Sequence, residues 1–169
     1  LVNSAANRID IYNYASGQLA GNIQVGTFPI SASLATDGSF LYVTNRDSSS
    51  LSIVDAERIG VVDTVSLPAR PEGVAVGADG RVLITTQGTG TNNTLNTLLL
   101  YDRSQIFGQQ LLSLPTPQPI STPTVATGRP AVAFPGRMIR TPDGQCIIGM
   151  VAINQTTNSA QTTLFVYEA

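Results

Sequence analysis

The groups that carry most enzyme chemistry are scarce in this 169-residue chain. There is no His, and all nine basic residues are Arg. Activating a Ser or Cys nucleophile in the usual triads needs an imidazole, a Schiff base needs an amine, and a Walker-type phosphate loop needs its Lys. None of these can be assembled within the chain. Three aspartates recur in one setting, Asp37-Gly38, Asp79-Gly80 and Asp143-Gly144. Asp tolerates and Gly readily adopts the left-handed backbone of a tight hairpin, so these carboxylates read as turn residues rather than metal ligands. No catalytic residue, no metal site and no cofactor is expected.

The positioning elements follow from the same pairs. A proline stands eight residues before each one, at Pro29, Pro71 and Pro135, and the first two copies lie 42 residues apart (79 − 37 and 71 − 29). Between these landmarks Ile9, Leu51, Leu98 and Leu164 are equivalent, and so, two residues on, are Ile11, Ile53, Leu100 and Val166. Spacing of two puts both sets on one face of a strand. Tyr12, Val54, Tyr101 and Tyr167 come next, then a polar residue in every copy: Asn13, Asp55, Asp102, Glu168.

The clearest copy reads as four short strands: Ile30 to Ala35, Phe40 to Asn45, Leu51 to Asp55 and Gly60 to Ser66. Four-stranded units repeating every 40 or so residues are the signature of β-propeller blades, each covering the apolar faces of its neighbours. The expected fold is therefore all-β: a propeller segment of about four antiparallel blades, some of them incomplete. The repeats span about 1–29 (partial), 30–71, 72–134 and 135–169 (partial), in a single domain. The third is longer by 143 − 79 − 42 = 22 residues, and the excess falls at Gln87 to Asn96 and in the Pro- and Thr-rich stretch from Leu114 to Pro130. Cys146, the one cysteine, sits where other copies have Phe40 and Val82, and is expected to be a buried, inert thiol.

Leu1 aligns inside a second strand and Glu168 at the end of a third, so the first blade supplies strands two to four and the last strands one to three. Open edges and uncovered apolar faces invite association. The expectation is a larger propeller, completed by remaining blades or by a second chain.

Phe40-Leu41-Tyr42-Val43-Thr44-Asn45, preceded by Asp37-Gly38 and followed by Leu51-Ser52-Ile53-Val54-Asp55, resembles the repeat of the YVTN family of bacterial β-propellers. Leu83-Ile84-Thr85-Thr86-Gln87 and Leu1-Val2-Asn3 keep parts of it, whereas Ile147-Ile148-Gly149-Met150-Val151 has lost the polar end. The family includes surface and surface-layer-associated proteins and is similar to lactonase propellers of the 6-phosphogluconolactonase type. No lactonase motif is matched residue by residue, so that activity rests on fold analogy alone.

Composition narrows the partners. A net charge of −2 and a pI of about 4.8 leave no basic footprint for nucleic acid, and no apolar run reaches the length of a transmembrane helix. Little charge, many Ser, Thr, Asn and Gln, and sequons at Asn92 and Asn154 suit an exported protein, periplasmic, cell-surface or extracellular.

Loops entering the first strand of each blade surround a propeller's channel. Here they carry Phe28, Arg70, Glu72, Phe134 and Arg137, with Arg suited to a carboxylate or phosphate. The sequence thus points to a non-enzymatic binding scaffold for a protein or small molecule. A lactone hydrolase with its catalytic residues in other blades, and a purely structural envelope component, are the alternatives.

Overall fold

The computed structural model describes residues 1–86, 98–114, 138–156 and 159–169, with backbone only for 150–156 and 159–163. Four antiparallel sheets follow one another along the chain. The first holds β1 (Val2–Asn3), β2 (Arg8–Asn13) and β3 (Gln18–Gln24). The second holds β4 (Pro29–Leu34), β5 (Phe40–Asn45), β6 (Ser50–Asp55) and β7 (Gly60–Ser66). The third holds β8 (Pro71–Val76), β9 (Val82–Thr86), β10 (Leu98–Tyr101) and β11 (Leu111–Leu114). The fourth holds β12 (Met138–Arg140), β13 (Cys146–Thr156) and β14 (Ser159–Glu168). In each sheet consecutive strands are neighbours. Among the described residues the chain is a β-propeller segment: two four-stranded blades flanked by two three-stranded ones, not closed into a ring.

Local chemistry sets the turns. Gly38, Gly80 and Gly144 all take positive φ, 75°, 77° and 75°. In each hairpin the Asp accepts the backbone N–H two residues on, from Ser39, Arg81 and Gln145. The polar residue closing the third strand works the same way: Asn13 accepts from Ala15 and Ser16, Asp55 from Glu57 and Arg58, Asp102 from Ser104. A short oxygen-bearing side chain thus offers the backbone an alternative to the ladder and ends it. Hydrogen bonds from Ser104 and Gln105 hold the Asp102 carboxyl down to about 2.

Three apolar clusters fill the three junctions. Ile9, Ile23, Val43 and Val54 meet between the first and second sheets. Tyr42, Leu51, Ile53, Val76, Ile84 and Tyr101 meet between the second and third. Leu83, Leu98, Leu100, Ile147 and Phe165 meet between the third and fourth. Alternation along each strand sends odd and even residues to opposite neighbours, which is why every residue of β9 is buried. Cys146 is half-buried, which corrects the expected buried thiol: it opens β13, next to the Asp143-Gly144 turn, whose Asp143 is exposed.

The last blade departs from the repeat. In the second blade Asn45 ends β5, its Nδ2 donating to Ser50 Oγ at 3.1 Å and Ser52 Oγ at 2.9 Å. Its counterpart is Val151, and there the ladder runs on through Ile153↔Gln161 to Thr156↔Ser159. Losing the polar stop lengthened the hairpin. Asn154 of one sequon lies in this extension, while Asn92 of the other lies outside the described residues.

At the opposite end the Asp-Gly turns crowd the axis unequally. A Cβ on Gly38 would meet nothing within 4 Å, whereas one on Gly144 would lie 2.8 Å from Thr36 Cγ2 and 3.2 Å from Ala78 N, in two other blades. Gly38→Ala is expected to cost about 1–2 kcal/mol from left-handed strain alone. Gly144→Ala adds overpacking of about 1–3 kcal/mol. Denaturant midpoints of the two variants check the order, and equal midpoints would remove the close approach.

Candidate functional site

Of the sequence-derived loop residues, Phe28, Arg70 and Glu72 are described, and they lie at the end where the inner strands begin. Phe28 sits at φ 54°, a conformation rare for a bulky side chain. It is held there from both sides: its N–H donates to Asn7 Oδ1 at 2.8 Å, and its carbonyl accepts the N–H of Arg46 at 2.9 Å. The residue is 37% exposed. Arg46, from the turn after β5, places its guanidinium carbon 5.5 Å from the centre of the Phe28 ring. At this distance and exposure a cation–π contact contributes about 0.5–1 kcal/mol.

Arg46 also reaches into the next blade. Its Nη2 lies 2.7 Å from Oε2 of Glu72, whose side chain is only 2% exposed. Glu72 is aimed there by a bulge: the pairing of β8 with β9 slips between Pro71 and Gly73, as that of β4 with β5 slips between Pro29 and Ser31. An extra residue at a bulge re-aims its side chain. In the second blade that residue is Ile30, in the third it is Glu72. Oε1 of Glu72, Nε of Arg46 and Oδ1 of neighbouring Asn45 are buried without a hydrogen-bond partner. Glu72 is therefore desolvated and half-satisfied while Arg46 stays 26% exposed, and such a pair is weak evidence for stability.

The structure thus brings Phe28 and Glu72 together through Arg46. Glu72 is engaged rather than free, its Oε2 paired with Arg46. Arg70 stands exposed on the loop before β8, and makes no ion pair among the described residues. Phe134 and Arg137 lie outside the described residues. Sequence reasoning missed Arg46, Asn7 and Asn45. A signal for Arg46 was present: its repeat counterparts are Ser4 and Gly88, those of Glu72 are Ile30 and Gly136, and only one junction carries a charge at both places.

Among the described residues no group of three or more His, Cys, Asp or Glu could hold a metal ion. No helix among them is long and apolar enough to cross a membrane.

Comparison with known proteins speaks to fold. No family model matches the chain, and no curated protein sequence matches it. Among solved structures it is similar to the Kuenenia stuttgartiensis hydrazine synthase, with a TM-score of 0.69 and 18% identity over 98% of this chain and 41% of that one. It is also similar to the β-propeller domain of Myceliophteria thermophila Cps50 (Swd1), with a TM-score of 0.62 and 13% identity over 96% of this chain and 46% of that one. The chain therefore spans less than half the length of either. At such identities the likeness is one of architecture, and it agrees with the blades described above.

Proposed function

We propose that the chain is part of a larger non-enzymatic propeller scaffold, of the YVTN type in its repeat, which a further blade completes and which binds its partner at the loop rim. The observation that carries this reading is the outward face of the fourth sheet. Leu51 and Ile53 are fully buried under the third blade, and Leu98 and Leu100 are 4% and 8% exposed under the fourth. Their counterparts Leu164 and Val166 are 68% and 62% exposed, with Ile139 at 72% and Ile148 at 45% beside them. Ile139↔Ile148↔Val166 are cross-strand neighbours, so these side chains form one contiguous apolar face. Faces of this kind mark interaction sites.

The occupant that fits is a further blade of the same pattern, because the face repeats the surfaces that already meet in the three junctions. The outward face of the first sheet is unlike it: there Arg8 and Asp10 pair at 2.7 Å. A larger propeller has this apolar face inside it. Export to a periplasm, cell surface or exterior belongs to the same proposal, supported by the low charge and the polar, Lys-free composition. The mouth built by Phe28, Arg46 and Glu72, with exposed Arg70 close in sequence, is then the rim available to a ligand.

Sedimentation equilibrium of the 169-residue chain tests the docking face. Without a covering blade the chain is expected to self-associate, and Leu164→Ser with Val166→Ser to return it to monomer. A wild-type chain that stays monomeric and binds no dye for exposed apolar surface would remove the proposal.

A further inference from the structure

At the far end of the same inner strands, Leu34, Val76 and Arg140 are equivalent, each three residues before the Asp of its Asp-Gly pair. These strands form the innermost edge of their sheets, β4, β8 and β12, so half of their backbone groups have no ladder partner and must be satisfied otherwise. Two devices meet this need. Ser33 Oγ accepts the N–H of Val76 at 3.2 Å. The Nη1 of Arg140 donates to the carbonyl of Leu34 at 2.8 Å and to that of Val76 at 3.2 Å. The side chain of the fourth blade thus spans the backbones of the second and third.

The consequence concerns the rest of the guanidinium. Both hydrogens of Nη1 are used, and both on neutral carbonyls. Among the described residues Nε and Nη2 have no hydrogen-bond partner, and no carboxylate lies within 4.0 Å of Arg140. Nε and Nη2 form the side-on edge of the fork, whose two parallel N–H groups match the two oxygens of a carboxylate. An arginine already fixed by one nitrogen loses less freedom on binding with the other two.

We propose that Arg140 is an anion-recognition residue at the Asp-Gly end of the inner strands, taking the carboxylate of a small organic acid on its Nε–Nη2 edge. The site is distinct from the Phe28 and Glu72 mouth at the other end of these strands. Carboxylate is favoured over phosphate by charge. Asp37, Asp79 and Asp143 carry the adjoining turns, and hydrogen bonds from Ser39 and Thr141 hold the first and last of them below the usual carboxylate range, so they stay ionised. A dianion meets that repulsion twice over, whereas a monoanion meets it once.

The test uses acetate as the probe on protein labelled with 15N in arginine side chains. Titration is expected to move the Arg140 Nε–Hε resonance saturably, with no such change in chloride of equal ionic strength and a weaker one in inorganic phosphate. Arg140→Lys keeps the charge and loses the planar fork, and acetate is then expected to bind at least tenfold more weakly, read from the backbone amides of Gly77 and Gly144. A linear, unsaturated response, or one equal in chloride, would leave Arg140 as a staple between blades only. Equal acetate affinity in the Lys variant would also overturn the proposal, and a phosphate response stronger than that to acetate would reassign the anion class.

Discussion

Arg46→Ala is expected to destabilise the fold by about 3–5 kcal/mol, the range found when one partner of a buried pair is removed. Glu72 stays behind with a side chain 2% exposed, and Arg46 Nη2 is the hydrogen-bond partner found for it, at 2.7 Å. Its other oxygen has none. A carboxylate stranded there loses its counter-charge while most of its surface stays buried. The replacement also removes the ring contact with Phe28, a smaller loss. Urea unfolding checks the figure: with an m-value of about 2 kcal/mol/M, the midpoint falls by roughly 1.5–2.5 M. The double change Arg46→Met with Glu72→Leu separates two explanations. Trading both charges for apolar volume is expected to leave stability near wild type or slightly above it. If the double variant is as unstable as Arg46→Ala, the stranded charge is not the cause. If Arg46→Ala alone shifts stability by less than about 0.5 kcal/mol, the pair behaves as a surface contact.

The second expectation sets two equivalent leucines against each other. Leu51→Ala is expected to cost about 2–5 kcal/mol, and Leu164→Ala less than about 0.5 kcal/mol in the isolated chain. Both occupy the same place in the repeat, on the face turned toward the following blade. Leu51 is fully buried in the cluster that also holds Val76, Ile84 and Tyr101, so truncation leaves a cavity. Leu164 is 68% exposed, and truncation there leaves only less apolar surface in water. Thermal and chemical unfolding of the two variants give the comparison directly. Comparable losses would mean that the face of the fourth sheet is already covered in solution. Repeating the Leu164→Ala measurement at increasing protein concentration distinguishes covering by another copy, since an associating face makes stability concentration-dependent.

Much of the fold was legible in the sequence because its signals are local or periodic. The Asp-Gly pairs name their turns, and alternation of Leu51, Ile53 and Val54 names the buried faces. Strands Phe40–Asn45 and Gly60–Ser66 fall where the pattern puts them. The first strand begins at Pro29 rather than Ile30, and the third at Ser50 rather than Leu51. These shifts arise because end residues pair through backbone groups that side-chain pattern does not encode.

The site was legible only in part. Phe28 and Glu72 stand at loop positions that the repeat names, but Arg46, just past the polar end of β5, was not singled out. Its role depends on a carboxylate 26 residues away in another blade, brought near by a bulge. Arg140 is a similar case: its partners are backbone carbonyls 106 and 64 residues distant, which no residue-type pattern announces.

By itself, then, the sequence determined the blade repeat, its turns, the apolar stripe of each strand and the absence of imidazole and amine chemistry, all of which depend on residue type and short-range spacing. Only the tertiary structure decided which stripes are covered, which charge meets which, and where the backbone edge is stitched across blades. Those outcomes depend on how neighbouring sheets stack, and equivalent residues such as Leu51 and Leu164 share a sequence pattern but not an environment.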